Sequence, residues 1–178
     1  MEDYQKIIVI ILAISVLVSY YIFLQTDQKY EGGYIGHPFW FGIQKEIVWS
    51  LVFFQILAAI GFVISIGSWM FFEPPKKGAV TDNKLFYALV LFFISAILWP
   101  IATKYHDKYK NGGYLVVISL ILTAIASIWL LAGAIEDEDS KYKFWRVIGL
   151  LFLCIVTVLG DGVIWNANYI VKNKDKFI

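Results

Sequence analysis

The sequence predicts an all-α integral membrane protein, a single domain over residues 1–178 built as a bundle of five transmembrane helices with short loops. Of its 178 residues, 60% are apolar and 16% are charged, whereas soluble domains contain roughly 45–50% apolar and about 25% charged residues. Five apolar runs each reach the length of about 18 residues at which a run becomes a transmembrane candidate. A membrane β-barrel would instead need alternating segments of about 10 residues.

Breakers and flanking charges delimit the five runs. The first follows an acidic start, Met1-Glu2-Asp3, and no small-residue cleavage site comes after it, so we predict a retained span and not a cleaved signal peptide. Glu73-Pro74-Pro75 ends the second run because proline cannot continue a helix. Asn111-Gly112-Gly113 precedes the fourth. The predicted spans are about 7–24, 47–72, 85–103, 114–135 and 144–165.

The loops are short and charged, and the first of them is the longest. Residues 25–45 hold Phe39-Trp40-Phe41, which is too apolar for a plain linker, so we expect this loop to fold back onto the bundle. Glu136-Asp137-Glu138-Asp139 is interpreted as a solvated turn, with a calcium site as the alternative, although the EF-hand spacing is missing. Lysines are shared almost evenly between the two sides. The positive-inside rule therefore decides little, and nearby acids lean toward a cytoplasmic C-terminus.

Composition also excludes several functional classes. The net charge of +1 gives no case for nucleic acid, which needs a basic patch. The single cysteine, Cys154, cannot form an intrachain disulfide or a CxxC motif, and we expect it to be a small buried apolar residue. With one cysteine and two histidines no metal site is predicted. No nucleophile or acid–base constellation is visible, so we predict no catalytic residues and favour a non-enzymatic role without a required cofactor.

Asp161 is the strongest polar candidate, because ionisable residues inside a membrane are costly and usually functional. It lies in Gly160-Asp161-Gly162 within an otherwise apolar run. Helical spacing places Asp161 on one face with Thr157, Trp165 and Asn168. Two alternatives remain: a helix that carries Asp161 deep into the membrane, or a helix that ends near Leu159 and leaves these residues in an interfacial turn.

The chain holds seven tryptophans. Four lie near span ends, where aromatic belts form: Trp40, Trp69, Trp145 and Trp165. The other three, Trp49, Trp99 and Trp129, lie within spans and are as compatible with packing as with a pocket. Trp99 is followed by Pro100, which we expect to kink or end the third span and to free a carbonyl.

Stripes of small residues predict close helix packing in lipid. The second span carries Ala58, Gly61, Ser65 and Ser68, and the fourth carries Ser119, Thr123 and Ser127. Contacts within the chain are favoured over a dimer for both stripes. Gln55, in the second span, is expected to form a hydrogen bond to a neighbouring helix.

Several local patterns resemble the translocator proteins, also called tryptophan-rich sensory proteins (TspO). Pro38-Phe39-Trp40 followed by 47–53 is similar to the family's proline-tryptophan loop and VWxxLY segment, with Phe53 in place of its tyrosine. Trp99-Pro100 is similar to its N-x-x-W-x-P segment, with Ala96 in place of asparagine. Residues 157–165 resemble its fifth-helix ending, with Asp161 near an asparagine position.

This resemblance implies five spans, a homodimer, and a cavity among the helices that accepts a porphyrin, haem-like or sterol-like molecule. Aromatic side chains would stack on a flat ligand, and Asp161 would bind a polar edge or a cationic group. The residues predicted to line this site are Trp49, Phe53, Trp99, Phe152, Asp161 and Trp165. The predicted partners are the lipid bilayer, a hydrophobic small molecule and a second copy of the chain.

Two further functions stay open. An ion or proton channel, or a transporter subunit, would place Asp161 on the transport path. A structural or assembly protein would use its small-residue stripes to hold a partner helix.

Overall fold

The computed structural model describes residues 1–24, 43, 45–75, 80–105, 108 and 112–177. These residues are helical, without a strand, and include five helices long and apolar enough to cross a membrane. Phe39-Trp40-Phe41 and the predicted fold-back lie outside the described residues. The helices are α1 (Asp3–Leu24), α2 (Lys45–Gly67) with a π-helical end (Ser68–Phe72), α3 (Asp82–Tyr105), α4 (Gly112–Glu136), α5 (Lys143–Cys154) continued by a π-helix (Ile155–Trp165), α6 (Asn166–Lys172) and a 3₁₀ turn (Lys174–Phe177).

Helix α4 occupies the middle of the bundle. It packs against α3 on one side and against α5 with its π-helical continuation on the other. Helix α1 packs on α3, and α2 packs on α5, so that α1 and α2 make little contact with each other. The order of neighbours is therefore α1, α3, α4, α5 and α2, and a gap separates the two outer helices.

Contacts at the two ends show that successive helices alternate in direction. At the first end, Gln5 Nε2 of α1 donates to Asn83 Oδ1 of α3 over 3.1 Å. At the second end, Lys104 Nζ of α3 donates to the carbonyl of Ile22 in α1 over 3.2 Å. Gly133, near the end of α4, lies against Val80, just before α3. Tyr114 at the start of α4 donates to the carbonyl of Phe177 over 2.9 Å. Arg146, near the start of α5, donates to Ser68 at the end of α2. Helices α1, α3 and α5 therefore start at the same end, and α2 and α4 run the opposite way. Five alternating helices are what the sequence predicted.

The small-residue stripe of α2 lies against α5. A Cβ atom added to Gly61 would overlap the backbone of Gly149, and the reverse substitution meets the same obstacle. Ser65 Oγ lies 2.7 Å from the carbonyl of Gly61 and 3.3 Å from that of Arg146 in α5. The predicted close packing within the chain is confirmed here, because only glycine lets the two backbones come this close.

The stripe of α4 serves contacts on both of its sides. Thr123 Oγ1 lies 2.9 Å from Ser95 Oγ of α3. Ser127 Oγ lies 2.7 Å from Thr157 Oγ1 of the π-helical segment. Cys154 is buried beside this pair, its sulfur 3.7 Å from Ser127 Oγ, as expected for a small interior residue.

Helix α3 does not end at Trp99-Pro100. It continues through Pro100 to Tyr105. Of the two expectations for Pro100, a kink or the end of the span, the second is therefore wrong. Because Pro100 has no N–H group, the carbonyl of Ala96 still lacks its usual helical donor. Just beyond this point, Thr103 Oγ1 donates to the carbonyl of Trp99 over 2.8 Å.

Candidate functional site

A cavity of about 430 Å³ lies in the gap between α1 and α2. Its side walls are α1 and α2, and its floor is formed by α3, α4 and the α5 rod. We use the name α5 rod for α5 together with its π-helical continuation, Lys143–Cys154 and Ile155–Trp165. Apolar residues dominate the lining, and we call this space the α1–α2 cavity. It is lined by Ala13, Val16, Leu17, Tyr20, Gln55, Ala58, Ala59, Phe62, Val63, Phe92, Phe93, Ala96, Thr123, Leu153, Val156, Thr157 and Asp161.

The mouth of the cavity faces outward between the two flanking helices. Leu17 of α1 and Val63 of α2 belong to the lining and are also strongly exposed on the outer surface. Ala59 of α2 is likewise exposed while it lines the cavity. A molecule that enters here passes between apolar side chains.

One end of the cavity is apolar and aromatic. Phe62 of α2 stacks on Phe92 of α3 with ring centroids 5.0 Å apart and meets Phe93 edge-on at 5.6 Å. These rings lie on the side toward the start of α1, α3 and α5, together with Ala13 and Leu153. The stacked pair joins α2 to α3 across the cavity floor.

The opposite end carries the polar groups. Tyr20 of α1, Ala96 of α3 and Asp161 of the α5 rod all lie farther along these three helices, and Gln55 lies at the matching level of the antiparallel α2. At about 1.5 Å rise per residue, Gln55 and Val63 are about 12 Å apart along the axis of α2. The α1–α2 cavity is thus amphipathic along its length.

Asp161 is carried by a continuous helix. The rod runs through Gly160-Asp161-Gly162 as a π-helix, Ile155–Trp165, and continues into α6. The alternative in which the helix ends near Leu159 in an interfacial turn is therefore wrong. Wide π-helical turns are uncommon and occur often at functional sites, because they re-aim side chains within a helix. Asp161 is partly buried and lines the cavity.

The polar end contains groups that lack partners. Within the described part of the chain, no donor or cation reaches the carboxylate of Asp161, and no hydrogen bond engages the side chain of Gln55. The prediction that Gln55 bonds a neighbouring helix was wrong, because Gln55 faces the cavity instead. Thr157, one turn before Asp161, is already engaged by Ser127 and by the carbonyl of Leu153 at 2.9 Å.

Two of the predicted site residues, Trp99 and Trp165, meet behind the cavity wall. Their rings lie edge to face with centroids 5.4 Å apart, and Trp165 stacks on Tyr169 at 5.0 Å. Both tryptophans are buried and neither lines the cavity. Tyr20, which does line it, contacts Trp99 at 5.5 Å. Trp99 and Trp165 thus support the polar end from behind.

The other aromatic predictions lie outside the α1–α2 cavity. Trp49 and Phe53 are 61% and 58% exposed on the outer face of α2. Phe152 is half-buried on the far side of α5, near Phe54 at 6.4 Å. Of the six predicted residues, the structure places only Asp161 in this cavity. Sequence could not separate these faces, since a membrane helix is apolar on its lipid side as well as its packed side.

No protein-family model, curated protein or solved structure matches the chain. The resemblance to the translocator proteins therefore stays a prediction that rests on local motifs. The geometry of the α1–α2 cavity is what supports a site in this chain.

A second polar centre lies at the first end of the bundle, around Arg146. This side chain is 0% exposed. Its Nη1 donates to Asp137 Oδ2 over 2.6 Å, its Nε to Ser68 Oγ over 2.7 Å, and its Nη2 to the carbonyl of Glu73 over 2.6 Å. We call these four residues the Arg146 cluster. Ser140 extends it by donating to Glu73 Oε2 over 3.0 Å.

The Arg146 cluster corrects the interpretation of the acidic loop. Asp137 is buried and paired with Arg146, so the solvated-turn interpretation was wrong for this residue, whereas Glu138 is exposed. Sequence reasoning attached no role to Arg146. The sequence nevertheless contained a signal for this pair. An arginine at the start of an apolar span needs a buried partner, and an acid, Asp137, lies nine positions before Arg146.

Proposed function

We propose that this chain is an integral membrane protein that binds a hydrophobic small molecule in the α1–α2 cavity. The observation that carries this proposal is a mostly apolar cavity of about 430 Å³ with a carboxylate at one end that has no partner among the described residues. Small-molecule sites usually enclose roughly 300–1,000 Å³ and combine apolar walls with a few polar groups. The α1–α2 cavity has that size and that composition.

The distribution of side chains supports membrane insertion. Large apolar residues are exposed along all five long helices, among them Ile11, Val63, Leu98 and Ile125. In water such continuous apolar surface would cause aggregation. The buried serine and threonine hydroxyls and the Arg146 cluster are hydrogen-bonded to backbone and side chains inside the bundle, as a lipid environment requires.

Membrane integration is tested by washing cell membranes at alkaline pH. The chain is expected to stay in the pellet after a carbonate wash and to be released only by detergent. Release by carbonate alone would contradict integration.

The outward-facing mouth supports ligand entry from the bilayer. Leu17 and Val63 are exposed at this opening and would present apolar surface to lipid. Porphyrin-like and sterol-like molecules, which the family resemblance implies, are the first ligands to test. The homodimer that the same resemblance implies stays a prediction.

Tryptophan-fluorescence quenching by protoporphyrin in detergent tests the cavity. A bound porphyrin would lie against Tyr20 and close to Trp99, so saturable quenching is expected. Displacement by an added sterol would show that the two ligands share the site. Ala59→Phe fills the mouth and should abolish saturable binding, whereas the adjacent Ile60→Phe, exposed outside the cavity, should leave it unchanged. Equal binding to both variants would contradict this location.

An ion or proton pathway is a second candidate function. It is favoured by the hydroxyl pair Thr157–Ser127, which lies one turn from Asp161 in the interior of the bundle. Proton flux into liposomes, abolished by Asp161→Asn in a folded protein, would support this function. The absence of flux under imposed proton and cation gradients would contradict it.

A further inference from the structure

The charged groups of the α1–α2 cavity indicate the class of its ligand more closely than the volume of the cavity does. Among its described lining residues, Asp161 alone is charged. A carboxylate in mostly apolar surroundings is costly unless a cation accompanies it. Arg146, in the same α5 rod, is hydrogen-bonded to Asp137 and Ser68 and lies toward the other end of the bundle. The compensating cation is therefore absent from the described part of the chain.

Two further groups at this end can accept hydrogen bonds from a ligand. The carbonyl of Ala96 lacks its usual donor because Pro100 follows four residues later. The side-chain amide of Gln55, which can accept as well as donate, has no hydrogen-bond partner in the described structure. Together with Asp161, these groups suit a ligand that brings a positive charge and donates hydrogen bonds.

The apolar end suits a hydrocarbon or aromatic body. Phe62, Phe92 and Phe93 form a continuous aromatic wall with ring centroids 5.0–5.6 Å apart. Gln55 and Phe62 are about 10 Å apart along the axis of α2, which separates head from tail within one molecule. A ligand that fills this space has one charged end and one apolar end.

We propose that the ligand of the α1–α2 cavity is a monocationic amphiphile, a hydrophobic amine whose ammonium group contacts Asp161 and whose apolar body lies against Phe62 and Phe92. This inference rests on the proposed function and names its ligand class. An anionic molecule, such as a porphyrin carboxylate placed at the polar end, would meet like charge at Asp161. A sterol offers these groups one hydroxyl and no positive charge.

The test compares three octyl probes that share one tail and differ in charge: octylamine, octanol and octanoate. Binding is measured by equilibrium dialysis against the full chain in nanodiscs of zwitterionic phosphatidylcholine, with empty nanodiscs as the correction for partitioning into lipid. Octylamine is expected to bind at least about tenfold more tightly than octanol, since a hydrogen bond to a charged group contributes that much or more. Octanoate is expected to bind most weakly.

Variants connect this preference to Asp161. Asp161→Asn should weaken octylamine binding about tenfold and leave octanol nearly unchanged, and Asp161→Glu should restore part of the preference. Glu138→Gln, which removes an exposed acid far from the cavity, is the matched control and should change neither probe. Asp161→Leu serves the same purpose if the asparagine variant does not fold, as judged by protection of Cys154 from thiol reagents.

Two outcomes overturn the inference in different ways. If octylamine and octanol bind equally and Asp161→Asn changes neither, while Ala59→Phe abolishes both, the cationic ligand class is wrong and the proposed cavity stands. If no octyl probe, porphyrin or sterol binds saturably to the unmodified chain, the inference and the proposed function fail together.

Discussion

Arg146 shows how a single buried charge is accommodated at the end of this bundle. Its guanidinium is engaged by the carboxylate of Asp137, by the hydroxyl of Ser68 and by the carbonyl of Glu73. It also lies over the rings of Trp69 and Tyr142, at 5.3 and 5.6 Å. Because every side of the guanidinium has a partner, the cluster joins the end of α2, the turn after α4 and the start of α5.

Arg146→Met is expected to lower the free energy of unfolding by about 3–5 kcal/mol, because it leaves Asp137 as an uncompensated buried charge. Arg146→Lys should destabilise less, since it keeps the charge but cannot make three directed hydrogen bonds. Unfolding in mixed micelles with rising SDS fraction gives the comparison.

The control for Arg146 is the exposed pair Lys6–Asp3, with a distance of 3.1 Å. Lys6→Met should change stability little, because exposed ion pairs contribute little. A loss in Arg146→Met no larger than that in Lys6→Met would contradict the role of the cluster.

At the scale of helices, the crossing of α2 and α5 depends on two glycines. Gly61 and Gly149 face each other so closely that each occupies the space where a Cβ atom of the other would lie. Backbone blocks that space, and backbone cannot rotate away as a flexible side chain can. The crossing brings Ser65 and Ser68 within reach of α5, and thus places the Arg146 cluster.

Gly61→Ala is expected to destabilise the fold by about 1–3 kcal/mol or more through overpacking at this crossing. Gly67→Ala, in the same helix, is the matched control because nothing lies within 4 Å of its added Cβ. Gly67→Ala should be neutral or stabilising by up to about 1 kcal/mol, since alanine is the better helix former. The same SDS titration measures both, and equal effects would argue against a tight α2–α5 contact.

For the whole molecule, the arrangement of helices buries the contact between α4 and α5 and leaves a lateral cavity between α1 and α2. Cys154 is the only cysteine of the chain and is buried between α4 and α5 beside Ser127. Its thiol therefore reports on the packing of the central helices. Leu153, the residue before it, lines the α1–α2 cavity.

Cys154 is expected to react slowly with a maleimide in mild detergent and rapidly after unfolding in SDS, because reagent access requires the central helices to separate. A protein with Cys154→Ala and Ser50→Cys provides the control, since Ser50 is exposed and should react rapidly in both conditions. Rapid labelling of Cys154 in the folded protein, at the rate of the control, would contradict the packed interior.

Sequence patterns predicted the helices well and the site only in part. Long apolar runs and their breakers located all five long apolar helices, and the small-residue stripes of α2 and α4 indicated real contacts. The faces of apolar helices were harder to predict. Phe53 and Phe62 are both phenylalanines of α2, yet Phe53 points outward and Phe62 lines the cavity. In lipid neither face needs to be polar, so hydrophobic periodicity does not separate them.

The number, length and alternation of the helices follow from the amino-acid sequence alone, because they depend on local apolar content and on the need to satisfy backbone groups along each helix. The sequence also indicates that Asp161 is the polar residue to explain. The direction in which Asp161 points follows instead from how the helices pack. Helix α1 packs on α3 and α2 on α5, so the gap between them opens over the π-helical turn that carries this carboxylate. That gap depends on contacts between residues distant in sequence, such as Gly61 with Gly149, which no single span encodes.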